Sequence, residues 1–195
     1  HTTVPVVNAM TDLEHPCQAM TDLLTILEHK GRLRGLRVSY VGDGKNVAGS
    51  LALACASVGA EFVIAAPPAA KYQIPSVVWE EAKHRAAMNE SKIGWVELPQ
   101  QAVRGADVVY TDAWISMGQE SERAERLDAF RECQVNDELM GYAKSDAVFM
   151  HDMPAHEGEE IPEGMLDHPR SVVFDQAENR LHAQKAILTW LFQAT

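Results

Sequence analysis

Short β-rich runs alternate with longer segments of helical period along this chain. Residues 37–41, RVSYV, form one such run, cut by Gly42-Asp43-Gly44. A small-residue apolar segment of helical length follows at 46–58 and is closed by Gly59. Strand, glycine turn and close-packing helix open a doubly wound α/β unit, whose ligands sit beyond the carboxyl ends of the strands. Further strands are expected at 62–65, 94–97, 107–111, 147–150 and 171–174, with helices at 77–88 and 177–192. Leu181, Leu188 and Leu191 share one face of the last helix. Upstream, 4–8 reads as a strand or the remnant of one. A helix from about Pro16 to His29 carries the apolar stripe Met20, Leu23, Leu24 and Leu27, with proline in its first turn. Residues 121–130 read as a mostly solvated helix, and Asn136 as an N-cap.

The crossover rule places 37–41 at the centre of a parallel sheet, flanked by 62–65 and 107–111. The expected fold is therefore α/β: a doubly wound parallel sheet, Rossmann-like and three-layered, in a single domain. Residues 31–195 form that domain, and 1–30 form a linking strand remnant and helix.

Composition narrows the class. A chain of 195 residues, 46% of them hydrophobic, can bury one substantial core. A net charge of -11 argues against a nucleic-acid surface, though not against a small anionic ligand held by a few local donors. Cys17, Cys55 and Cys133 are odd in number and lack metal-type spacing, which favours a reduced, cytoplasmic protein over a disulfide scaffold. No apolar run reaches transmembrane length and no signal peptide opens the sequence, so no membrane partner is expected. The chain starts inside an apolar run, which suggests a fragment of a longer protein.

Candidate chemistry gathers at the ends of the strand-like runs. His15-Pro16-Cys17-Gln18 puts an imidazole and an amide at a helix start, where free N–H groups favour anionic or carbonyl ligands; a plain capping turn explains it equally well. The Gly42-Asp43-Gly44 turn fits a dinucleotide fingerprint poorly. Val47 stands in place of the third glycine, and no ribose-binding acid ends the 62–65 strand. Asn46, at the mouth of the next helix, is better placed to touch a small ligand. Asp112, Ser116 and Met117 lie in a loop after a strand; a carboxylate and a hydroxyl there suit the ammonium and carboxylate of an amino acid.

The motifs HPCQ (15–18), GDGKN (42–46), DAWISMGQE (112–120), HDMPA (151–155) and DQAENRLHAQKA (175–186) resemble, in order and approximate spacing, those of the ornithine carbamoyltransferases. The resemblance covers essentially the whole chain and points to the second, amino-acid-binding domain of that family. It implies carbamoyl transfer from carbamoyl phosphate to the side-chain amine of ornithine, giving citrulline and phosphate, with no metal and no organic cofactor. His15 and Gln18 would hold the carbamoyl group and polarise its carbonyl. Arg180 would face carbamoyl phosphate; an ion pair with Glu178 is its plain alternative. Asn46, Asp112, Ser116 and Met117 would grip ornithine. His151, Asp152 and Met153 would bind substrate, with a cis peptide before Pro154 in a turn that presents main-chain carbonyls to the carbamoyl nitrogen. The full-length family members would be homotrimers, completed by a first domain with a Ser-Thr-Arg-Thr phosphate loop. Without that domain the chain would be inactive.

Three departures qualify the resemblance: the first domain's motif lies outside this sequence, Asp152 replaces the cysteine of His-Cys-Leu-Pro, and Lys45 and Glu157 replace a usual asparagine and a frequent arginine. An aspartate would add negative charge and hold the attacking amine protonated. If Lys45 pairs with Asp152, their salt bridge would occupy the place of the ornithine amine, and restoring cysteine should then raise citrulline formation. The alternatives are a non-catalytic, carbamoyltransferase-like ligand-binding domain and a paralogue acting on another amine.

Overall fold

The protein is described here by a computed structural model covering residues 3–116 and 118–193. Five parallel strands lie in the order β3-β2-β1-β4-β5: β1 Arg37–Val41, β2 Glu61–Ala65, β3 Ile93–Val96, β4 Val108–Thr111 and β5 Val148–His151. Arg37–Val41 is central, paired on one side with β2 and on the other with β4, as the βα alternation requires. The order reverses between β1 and β4, so their carboxyl ends flank the switch-point crevice.

The pleat sorts the core. Val38 and Tyr40 of β1, with Val108 and Tyr110 of β4, face α1 (Pro16–Lys30), α2 (Asn46–Val58) and α3 (Ser76–Met88). Val41 and Val109 face the other layer, with α4 (Pro99–Val103), α5 (Arg123–Ala129) and α6 (Asp137–Met140). Close approach is built into the sequence at two glycines. A Cβ on Gly49 of α2 would stand 3.1 Å from Val78 of α3, and one on Gly44 would strike the backbone nitrogen of Ile74 at 2.4 Å. The GDG turn can therefore lie against the 72–74 backbone only with glycine at 44. Leu51, fully buried between these layers, is a site where truncation to Ala would cost about 2–5 kcal/mol.

Four expectations differ from the structure. Residues 4–8 form no strand, since no neighbouring strand offers its ladder. Ser171 makes one isolated bridge to Phe149, and the chain then enters α7 (Val173–Gln193), so 171–174 is not a strand. The 121–130 helix is not merely a solvated face: Arg126 of α5 is buried, with Nη1 2.6 Å from Asp43 and 3.3 Å from the Trp114 carbonyl. The fourth difference concerns which faces are covered. On α1 the buried side is Cys17, Gln18, Ala19, Thr21, Asp22, Leu23, Thr25 and Ile26, while Met20 and Leu27 are exposed. On α7 it is Val173, Gln176, Asn179 and Ala183, while Leu181 and Leu188 are exposed. The two helices meet through polar groups: Asn179 donates to Thr25 at 3.1 Å and to Glu28 at 2.6 Å, and His29 pairs with Asp175 at 2.9 Å.

All three cysteines are buried and free of disulfides. Among the described residues no helix is long and apolar enough to cross a membrane.

Candidate active site

Asp112 follows β4 and Asp152 follows β5, one strand over. Burial pushes Asp152 well above the usual carboxylate range, and the neighbouring Asp112 charge pushes it further. Burial also raises Asp112, opposed by His151, by the hydrogen bond from Asp152, by the Ala113 N–H and by Lys45. Of the two acids, Asp152 is the one whose ionisation burial and its neighbour oppose more strongly.

Lys45 does not bridge to Asp152. Its Nζ lies 3.0 Å from Asp43 and donates to Ser116 Oγ at 3.0 Å and Gln119 Oε1 at 2.5 Å. Asp43 is already fixed by buried Arg126 at 2.6 Å, so the GDG turn and the 112–120 loop are tied through two cations. Met117 lies outside the described residues.

The cis peptide at Met153-Pro154 is present. Met153 has φ 58°, a conformation rare outside glycine, and its N–H donates to His151 Nδ1 at 2.9 Å. Nε2 of His151 faces Glu160 Oε1 at 3.3 Å. Both ring nitrogens of this fully buried histidine are thus engaged, and His151 supports the loop rather than offering its ring to a ligand. Asp112, His151 and Asp152 do present ligand atoms within 4.8 Å of one another. Nδ1 of His151 already accepts the Met153 N–H, so the ring offers the trio no free ligand atom on that side.

The opposite flank is built from α1 and α7. His15 is buried, and its main-chain N–H donates to Ser50 of α2 at 2.7 Å. Burial, then the Arg180 charge, lower its pKa, so the ring is neutral at neutral pH. Arg180 also acts on Cys17 and Asp22. It forms no ion pair among the described residues, and Glu178 lies instead 3.7 Å from His182. Nδ1 of His15 and Oε1 of Gln18 are buried without a protein partner. The amide nitrogen of Gln18 is committed to Asp22 at 2.9 Å, so Gln18 presents an acceptor rather than the expected donor. Asn46 is the outlier: its amide nitrogen donates to the Thr11 carbonyl at 2.8 Å, and its oxygen accepts from the adjacent Val47 N–H at 3.0 Å.

The two flanks are electrostatically continuous, since the Asp22 charge is felt at Asp152. Asp22, Gln176, Arg126 and Gln119 went unrecognised in the sequence. Only the Gln18/Asp22 pair carried a signal, two polar groups four residues apart on one helix face.

An open parallel sheet with acidic, amide and guanidinium groups at its switch point defines an α/β small-ligand domain. The aspartate/ornithine carbamoyltransferase Asp/Orn-binding-domain model matches residues 34–191, and the carbamoyl-P-binding-domain model of the same family matches 1–28. The chain belongs to the aspartate/ornithine carbamoyltransferase family. It is 54% identical over 188 residues to an ornithine carbamoyltransferase of Carboxydothermus hydrogenoformans, covering 96% of this chain and 60% of that protein. The Methanopyrus kandleri ornithine carbamoyltransferase is also 54% identical, over 96% of this chain and 59% of its own length. The solved ornithine carbamoyltransferase of Pyrococcus furiosus superposes with a TM-score of 0.91 at 50% identity, over 96% of this chain and 59% of that one. The chain thus spans about 60% of the length of the curated relatives it matches.

Proposed function

We propose that the protein to which this chain belongs transfers the carbamoyl group of carbamoyl phosphate to the side-chain amine of ornithine, giving citrulline and phosphate. The observation that carries this reading is the pair of buried, unpartnered polar atoms, His15 Nδ1 and Gln18 Oε1, on the Arg180 flank of a crevice that holds Asp112 and Asp152 on its other flank. Arg180 would take an oxygen of carbamoyl phosphate, Gln18 would accept from the carbamoyl –NH2, and neutral His15 would face the carbamoyl group. Asp112, with Ser116 and Met117, would hold ornithine, and Asn46 would join them on releasing Thr11. The amine lone pair attacks the carbamoyl carbon, the carbon–oxygen bond to phosphate breaks, and the amine proton passes to the departing phosphate. Positioning in a dry crevice supplies most of the rate.

The same reading divides the chain at 30/31, with residues 31–195 as the ornithine-binding domain; the two family matches support it. The parent is proposed as a cytoplasmic homotrimer of an arginine-biosynthesis pathway, without metal or organic cofactor. A non-catalytic role drew its support from the first domain lying outside this sequence and from an added charge at Asp152; the raised pKa of Asp152 weakens the second of these.

The test is a panel of amines offered with carbamoyl phosphate to the full-length protein. Citrulline and phosphate released one for one, with ornithine preferred, is the expected result. Carbamoylation of a different amine, or none, would refute the reading.

A further inference from the structure

Gln18 and Asp22 stand one turn apart on the buried face of α1. Oδ1 of Asp22 accepts from Gln18 Nε2 at 2.9 Å and from Gln176 Nε2 of α7 at 2.7 Å. The Gln176 amide nitrogen also reaches the Tyr110 hydroxyl of β4 at 3.0 Å, and Tyr110 hydrogen-bonds to Asp22 as well. The other end of Gln176 accepts the main-chain N–H of His151, the last residue of β5, at 2.9 Å. One carboxylate therefore joins α1, β4, α7 and β5, and every side chain in the set is buried.

A primary amide presents a donor at one end and an acceptor at the other, and its partners alone decide which way it faces. An ionised carboxylate only accepts. It takes the nitrogen of Gln18 and leaves the oxygen, which meets no protein donor although it is buried. We infer that Asp22 is a positioning residue for carbamoyl transfer: it fixes the Gln18 amide with its oxygen toward the carbamoyl –NH2, and through Gln176 it holds the His151 backbone in the same frame. This inference rests on the carbamoyl-transfer reading above.

Asp22 differs from an ordinary buried anchor in that its charge is adjustable. Burial pushes its carboxyl up to about 7, against the hydrogen bonds of Gln18, Gln176 and Tyr110 and the charge of Arg180. The ionisable groups around it are Arg180 from α7, Tyr110 from β4, Tyr40 from β1, Cys55 from α2 and Asp152 after β5. Arg180 is the one cation of this set. Once protonated, Asp22 donates as well as accepts and no longer dictates the orientation of Gln18.

The test has two arms. In this chain, the side-chain 15N resonance of Gln18 should follow a single transition near pH 7, which disappears in Asp22→Asn. In the full-length protein, Asp22→Asn should raise KM for carbamoyl phosphate about tenfold, the value of one charge-assisted hydrogen bond, while ornithine KM moves less than about twofold. The wild-type titration needs no variant and no turnover, so it stands even if Asp22→Asn folds poorly or citrulline is not formed. Absence of citrulline formation would count against the functional reading alone. A Gln18 resonance indifferent to pH while the Asp22 carboxyl titrates, or an unchanged carbamoyl phosphate KM, would overturn the positioning role.

Discussion

Burial, and after it the charge of Asp112 at the neighbouring strand end, hold the Asp152 carboxyl well above the usual carboxylate range. Held toward its neutral form, the Asp152 carboxyl would add little charge beside the attacking amine. That reverses the expectation that cysteine at this position would raise activity. In the full-length protein, Asp152→Cys and Asp152→Asn should form citrulline within about threefold of wild type at neutral pH. They should diverge from it as pH rises and Asp152 ionises. Paired pH–rate profiles decide this.

The same burial shapes stability. Asp22 and Asp152 keep protons in the folded state that the unfolded chain releases above about pH 4. The folded state then binds more protons, so stability falls as pH rises. For Asp22 the fall spans about pH 4 to 7, at up to about 1.4 kcal/mol per pH unit. Urea denaturation of this chain across that range should show the decline, and Asp22→Asn should flatten it.

Arg126 is held by Asp43 at 2.6 Å, Glu122 at 3.0 Å and the Trp114 carbonyl at 3.3 Å. Removing one partner of a buried pair typically costs about 3–5 kcal/mol. Lys45 remains to neutralise Asp43. Arg126→Met should therefore cost about 2–3 kcal/mol in urea denaturation, below that scale.

Lys45 ties the 112–120 loop through Ser116 and Gln119. Lys45→Met should speed amide exchange in that loop by about tenfold and leave the exchange of β1 and β4 unchanged, since few other groups hold it.

Much of the frame was legible. Arg37–Val41, the glycine turn and Asn46–Val58 follow from local propensity and from a turn that only glycine can form against the 72–74 backbone. The faces of α1 and α7 were not. A periodicity reading assigns burial to apolar residues, yet these helices bury Thr21, Asp22, Thr25, Gln176 and Asn179 and expose Met20, Leu27, Leu181 and Leu188. Polar burial is decided by partners distant in sequence, such as Asp22 with Gln176 or Asp43 with Arg126, which no local spacing reveals. For the site, the motifs picked out His15, Gln18 and Asp112, but not which end of the Gln18 amide is free or where Lys45 reaches.

The central claim is one crevice with two specialised flanks, carbamoyl at Gln18 and amine at Asp112. It is tested most directly by steady-state citrulline formation in the full-length protein with Asp112→Asn and Gln18→Ala measured side by side. The account predicts that Asp112→Asn raises ornithine KM by about tenfold or more and leaves carbamoyl phosphate KM near wild type, with the reverse split for Gln18→Ala. Equal effects of each substitution on both substrates would contradict it.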